Sequence, residues 1–452
     1  MDAPHDARAV QARLAGRPRP GVPDRRSGRG RPLHLGAPGP PRPRAHARAR
    51  QVGHPGGQGH PVAAQPAARR CDTAGLSGRG GFIGARRQEA TVDSRTIIRK
   101  VINQGGAPRI GYHLPPPWPN DIVHAGIAPA PGFDDRRTAD GDSEAWYDEW
   151  GCLWRRLGGI SKGEVFQGAI ADWDQLDAYR PPDLGLESRY QDARRAFAAA
   201  PDKYRIGDIP GCAFNVSRYI RRLDNFLADC LLEPGRVRRL NAIVMDELLK
   251  AVRRMTEAGA DAVMFPEDWG TQDRLLMSPA TFRDLFLPEF HRLCGAAREA
   301  GLDVWMHSCG KMTEIIDDLI GAGVRVLQFD QPTLHGIDLL AARFAGRVAF
   351  ECPVDIQRTL QSRDAGLIRQ EARLLCEALG GRGAAAPRCA RRVSAPAAHA
   401  QVAAYDRAAG TETRRAGGFI ACRYTDEKAI GLEPEWQDIA CEAFLEFGGW
   451  KG

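Results

Sequence analysis

From Asp261 onward the chain keeps a regular beat of short apolar runs and helices. Asp261–Phe265 is followed by a helix at Pro279–Ala300, and Val304–Met306 by one at Met312–Ala322. Val324–Phe329 leads into Gly336–Phe344, and Val348–Phe350 into Ile356–Leu360 and Asp364–Leu379. Runs this short, joined to helices through brief turns, predict parallel strands with helical crossovers. Gly417-Gly418-Phe419-Ile420 reads as a last strand, with a helix at Pro434–Phe447 behind it. No G-x-G-x-x-G follows a strand and there is no P-loop, so a nucleotide-binding doubly wound sheet is disfavoured. The expected fold is an α/β (β/α)8 barrel of the TIM type.

Upstream, Ser94 is the expected N-cap of a helix over Arg95–Asn103, and Arg109–His113 a first strand. The prolines of Pro115–Pro119 force an extended passage. Ala145–Ser161 carries Trp146, Trp150 and Trp154, which reads as aromatic packing under a loop or as part of a substrate mouth. A short helix is expected at Ala171–Tyr179, a strand at Tyr204–Asp208, and helices at Ser217–Leu232 and Pro234–Ala258. In the last of these, Val237, Leu240, Val244, Leu248, Val252 and Met255 recur at three and four, the stripe of a helix with one buried face.

Two stretches do not fit this pattern. Residues 1–90 hold 17 Arg, no Lys and 5 acidic residues, a local charge of 17 − 5 = +12 within a chain whose net charge is +7. With a single Ile and a single Phe they lack the apolar surface to offset chain entropy, so a disordered or mistranslated extension is expected. A nucleic-acid role for this arm is not favoured, because it lacks interleaved aromatics. Residues 382–416 have the same composition, with seven Arg and no Leu, Ile, Phe, Met, Trp or Lys, and read as an interruption of the barrel that otherwise spans 91–452. No apolar run approaches a membrane span and the amino terminus has no apolar signal core, so a cytoplasmic location is the expectation. The eleven cysteines have no regular spacing and read as reduced thiols.

In parallel barrels the chemistry lies at the carboxyl ends of the strands. There this chain places Glu267-Asp268-Trp269-Gly270-Thr271-Gln272, then His307-Ser308-Cys309-Gly310, then Asp330-Gln331, Glu351-Cys352 and Cys422. His307 and Cys309 are two apart at a strand end and project together, as metal ligands or a substrate grip would. Cys422 is the first candidate for a third ligand and Cys352 the second, with Glu267, Asp268 and Asp330 as possible oxygen donors. Adjacent carboxylates such as Glu267 and Asp268 suit acid–base work or cation binding.

Four stretches together resemble the uroporphyrinogen decarboxylase-like superfamily. They are DAVMFPEDWGTQD (Asp261–Asp273), VWMHSCGKM (Val304–Met312), VLQFDQP (Val326–Pro332) and GGFI (Gly417–Ile420). The resemblance covers roughly Thr91–Gly381 and Gly417–Gly449 and implies a (β/α)8 barrel enzyme. One branch contains zinc-dependent methyltransferases that pass methyl groups between corrinoid proteins and thiols, and its zinc ligands correspond here to His307, Cys309 and Cys422. Where that branch tends to have an acidic residue, this chain has Gln331 with Asp330 just before it. The resemblance then implies Glu267, Asp268 and Gln272 as catalytic residues, and Trp269, Asp330 and Gln331 as substrate contacts. Zinc and a corrinoid on a partner protein are the implied cofactors. The other branch decarboxylates uroporphyrinogen III to coproporphyrinogen III without a metal and carries an Arg-rich amino-terminal motif. After Tyr112 this chain has Leu-Pro-Pro-Pro instead.

Overall fold

The computed structural model describes residues 92–157, 163–381 and 417–449, all within the unit Arg86–Gly452. The readings of 1–90 and 382–416 lie outside these residues. Twelve strands are described. They are β1 (Gly111–His113), β2 (Ile122–Ala125), β3 (Thr138–Asp140), β4 (Ser143–Tyr147), β5 (Leu153–Leu157) and β6 (Glu164–Gln167), followed by β7 (Tyr204–Asp208), β8 (Ala262–Pro266), β9 (Asp303–His307), β10 (Val326–Gln328), β11 (Ala349–Cys352) and β12 (Phe419–Cys422).

Eight of them form one all-parallel sheet in the order β1-β12-β11-β10-β9-β8-β7-β2. The two edge strands meet through Asp121, whose N–H donates to the Tyr112 carbonyl at 2.7 Å and whose Oδ2 accepts from the Tyr112 N–H at 2.9 Å. The sheet is thus a nearly closed (β/α)8 barrel, as expected. Strands β3–β6 form a separate antiparallel sheet inserted between β2 and β7.

Successive strand residues face opposite sides, so the interior is built from every second position. Its amino-terminal half is apolar: Ile122, Tyr204, Ile206, Ala262, Trp305, Val326, Ala349 and Ile420 form one buried cluster. The helix Ser94–Ile102 plugs this end with Ile97, Ile98, Val101 and Ile102. Gly111 faces the plug so closely that a Cβ there would lie 2.6 Å from Ile98 Cδ1. Two residues further along the strands the interior turns polar, with His113, His124, Asp208, His307, Gln328, Glu351 and Cys422 at the carboxyl ends. The helices pack outside, where Val237, Leu240, Val244, Leu248 and Met255 of Pro234–Ala258 are fully buried in the larger cluster.

Several boundaries differ from expectation for local reasons. Asp93, not Ser94, caps the first helix by accepting the Thr96 N–H at 2.6 Å. Ser94 instead donates to Asp121 Oδ1 at 2.6 Å. The helix expected over Pro279–Ala300 is two, Pro279–Leu285 and Leu287–Glu299, because Pro288 cannot donate into a continuous helix. Ser217–Leu232 is likewise two helices, Ala213–Arg221 and Leu223–Leu232, parted at Arg222 with φ 63. The stretch Ala171–Tyr179 holds only a 3-10 turn at Trp173–Gln175.

Just before β8, Asp261 fastens the plug to the barrel. It receives Arg95 at 2.5 Å and Arg99 at 2.8 Å from the helix, and Arg205 at 3.0 Å from β7. Burial alone would raise its carboxyl, but the bonds from Arg205 and Arg95 outweigh that and hold it below the ordinary 3.8. Stability from a depressed carboxylate is present above its unfolded pKa and lost as pH falls through the folded one. Asp261→Asn is therefore expected to lower unfolding free energy by about 3–5 kcal/mol at neutral pH. Urea denaturation should also show the variant losing less stability than wild type on acidification below about pH 4.

Candidate active site

The loops after β8 and β9 are joined along their backbones. The Glu267 N–H donates to the His307 carbonyl at 2.8 Å, and the Trp269 N–H to Ser308 Oγ at 3.2 Å. The Gly270 N–H donates to the Cys309 carbonyl at 3.3 Å, and the Lys311 N–H to the Thr271 carbonyl at 2.7 Å. The crossing is tight enough to require glycine twice. A Cβ on Gly310 (φ 73) would lie 2.1 Å from the Gly270 carbonyl oxygen, and one on Gly270 would lie 2.4 Å from the Lys311 nitrogen. This junction carries Asp268 to the His-x-Cys pair.

Asp268, His307 and Cys309 each offer a ligand atom, and these atoms lie within 4.8 Å of one another; they are the one such group of three among the described residues. His307 Nε2 is 3.3 Å from Cys309 Sγ and 3.6 Å from Asp268 Oδ1. Its Nδ1 is held by the Gln328 side-chain oxygen. An amide oxygen only accepts, so Nδ1 carries the proton and the Nε2 lone pair faces the cluster. Asp268 accepts the Cys309 N–H at 3.0 Å and Arg218 Nη2 at 2.9 Å. Burial alone would lift its carboxyl, but the neighbouring His307 ring, the Arg218 guanidinium and the Cys309 N–H prevail and keep it below the ordinary range. Cys309 is exposed.

The expected third ligand, Cys422, does not join this group. It is buried, and it lies 3.9 Å from Nε2 of Gln328, the residue whose oxygen holds His307. Burial and then the Glu351 charge push its thiol well up, which opposes thiolate formation. Cys352 is also fully buried. An ionised carboxylate, an imidazole lone pair and an exposed thiol make a donor set suited to zinc with a position left for a substrate.

The remaining expected site residues divide. Glu267 has no exposure and turns away from the cluster, accepting the Cys212 N–H at 2.6 Å and the Asn215 N–H at 3.0 Å at the start of the helix Ala213–Arg221. Burial pushes its carboxyl up to about 8, so it is neutral at pH 7. Gln272 and Gln331 bond each other through their amides at 3.2 and 3.1 Å. Asp330 accepts from Gln328 Nε2 at 2.9 Å, so Gln328 links it to His307. Trp269 is wholly buried, stacked on Phe214 at 4.4 Å and edge-on to Phe282 at 4.9 Å, and so braces the loop from behind.

A cavity of about 970 Å³ opens at Asp268 and Arg218. Trp146, Asp148 and Trp154 of the inserted sheet, together with Tyr219, form its far wall. Trp154 stacks on Trp146 at 6.2 Å and meets the Tyr219 edge at 4.8 Å. The tryptophan-rich segment therefore packs through its rings and lines a cavity. His113, His124 and Asp208 were not singled out from the sequence, though they too end inward-facing strands. Their alternation with Gly111, Ile122 and Ile206 is the signal that would have found them.

Residues 161–381 match the model of the uroporphyrinogen decarboxylase family. Over those residues the chain is uroporphyrinogen decarboxylase-like. Among solved structures, a methyltransferase from Methanosarcina mazei is 15% identical, with 66% of this chain and 76% of that chain covered and a TM-score of 0.46. D-psicose 3-epimerase with D-fructose is 11% identical, covering 62% of this chain and 88% of that one at a TM-score of 0.31. The catalytic domain of the endo-β-1,4-mannanase from Bacillus sp. JAMB-750 is 9% identical, covering 79% and 95% at a TM-score of 0.29. No curated protein matches the chain.

Two substitutions test the way the site is held. Trp269→Ala should cost about 3–5 kcal/mol of stability by leaving a cavity among the aromatics, measured by urea unfolding. Gly310→Ala should separate the two loops, and thiol-alkylation kinetics at Cys309 should change once the Asp268 contact is gone.

Proposed function

We propose that the chain is a methyltransferase-type member of its superfamily, moving a methyl group between a corrinoid carried by a partner protein and a thiol or related acceptor. The observation that supports this most is the meeting of Asp268, His307 and Cys309 within 4.8 Å at the carboxyl ends of the barrel strands. These three residues would hold zinc. Bound there, zinc would keep an acceptor thiol as its anion, the nucleophilic form, at neutral pH.

The chain's own residues would do the rest. Gln328 fixes the His307 tautomer, and Arg218 keeps Asp268 ionised and aimed at the cluster. Trp146, Trp154 and Tyr219 would exclude water around the body of the acceptor, and the reciprocal Gln272–Gln331 pair would brace the loops on either side of the group. Glu267, buried and neutral, would support the loop rather than exchange protons with substrate. The corrinoid-bearing partner would dock at the barrel mouth.

Metal analysis after anaerobic purification tests the reading, with about one zinc per chain expected. His307→Ala should lose the metal, and Gln328→Ala should weaken its affinity about 10- to 100-fold by freeing the imidazole. Cys422→Ser should leave the zinc content unchanged. Zinc lost with Cys422→Ser but kept with Asp268→Asn would restore the Cys422 ligand set. Demethylation of methylcobalamin by a thiol, followed by absorbance, should require the metal. If the metal-free protein instead turned uroporphyrinogen III into coproporphyrinogen III, the decarboxylase reading would replace this one.

A further inference from the structure

Across the barrel mouth, a second set of polar side chains shares no residue with the group at His307. His113, at the end of β1, holds Glu351 Oε1 through Nδ1 at 2.6 Å. The Glu351 side chain is 2% exposed and that of His113 32%. The other carboxylate oxygen, Glu351 Oε2, is buried with no hydrogen-bond partner. The His113 ring lies flat on that of His124, centroids 4.7 Å apart and planes 13° from parallel. His124 in turn holds Asp208 Oδ1 through its Nδ1 at 2.9 Å.

Stability does not explain this arrangement. A buried carboxylate with one oxygen unsatisfied is usually less stable than an apolar filling of the same volume, and such groups concentrate where chemistry needs them. The geometry matches a carboxylate–imidazole dyad. An ionised carboxylate only accepts, so it fixes the proton on Nδ1 of His113 and leaves the Nε2 lone pair free to take another. The half-exposed ring lines a cavity of about 530 Å³. Leu114, Pro115 and Pro116 give that cavity an apolar wall, and Asn120 and Tyr424 add polar edges. Its one arginine, Arg423, is matched by Glu427 at 2.5 Å and Asp438 at 2.6 Å, so the cavity offers no uncompensated positive charge to an anion.

We propose that His113, oriented by Glu351, is a proton-accepting residue of a second ligand site, which takes a small, flat, apolar molecule bearing one weakly acidic hydroxyl. The body of the ligand rests on the proline wall with its hydroxyl at Nε2. The O–H bond breaks, the proton forms an N–H bond on Nε2, and the electron pair stays on the ligand oxygen. The Glu351 carboxylate then faces an imidazolium, which compensates its buried charge. The groups that face His113 are Glu351 from β11, the His124 ring from β2 with Asp208 behind it, and Cys422, its Cα partner on β12.

The probe is 4-nitrophenol, whose anion absorbs in the visible. With the full-length protein, below the pH at which the free phenol ionises, bound probe should show a severalfold higher phenolate fraction than probe in buffer. His113→Gln should abolish that shift and Glu351→Gln should reduce it. 4-Nitroanisole, which lacks the hydroxyl, should compete for the cavity without any protonation signal. The shift should persist after chelation of metal, so its outcome is separate from that of the zinc reading. No binding by wild type, binding as the neutral phenol, or an undiminished shift in either variant would overturn the proposal.

Discussion

The polar side chains that the strands carry inside this barrel are placed by the two-residue period of those strands. A barrel strand has an inward and an outward face, and three to five residues leave only two or three inward positions. Here the first of these meet the plug helix and are apolar. The last are His113, His124, Asp208, His307, Gln328, Glu351 and Cys422. A one-residue slip in a strand would turn its inward residues to the outer face. The ion cluster at Asp261, which ties two strands to the plug, therefore guards the register on which the opposite end depends.

Within the polar layer, side chains act through their neighbours. Gln328 accepts from His307, donates to Asp330 and touches Cys422, so one amide sets the lone pair of the imidazole and separates it from the second thiol. Asp268 belongs to the group because two loops are joined through Gly270 and Gly310, not because it ends a strand. The acidic neighbours Glu267 and Asp268 then divide. One is buried beneath a helix start and neutral, and the other is held by Arg218 and ionised.

The alternation of strand and helix was plain in the sequence from Asp261 to Leu379, as was the polar character of each strand end. His307 and Cys309 could be paired by spacing alone. What spacing does not encode is contact between separate loops, so Asp268 was one acid among several and Cys422 stood ahead of it. The resemblance implied Trp269 as a substrate contact, yet its ring turns back into Phe214 and Phe282. Strand β2 escaped notice because the inserted sheet follows Ile-Val-His-Ala where the strand–helix beat expects a helix, and with it went the His113–His124 stack.

The inserted sheet leaves the barrel wall after β2 and returns at Gly168, where a Cβ would lie only 2.3 Å from the Ile220 carbonyl oxygen. The return is fixed further by the Ile170 N–H, which donates to the same carbonyl at 3.0 Å. That carbonyl belongs to the helix that carries Arg218, the partner of Asp268. A ligand pressing on Trp146 or Trp154 thus pushes against a panel riveted to the guanidinium that sets the charge of the cluster. The Trp154 ring on Tyr219 and Arg222 Nη1, which donates to the Phe166 carbonyl at 3.2 Å, tie the panel to that same helix end. Under the proposed function, exchanging residues on that panel would change which acceptors fit the cavity.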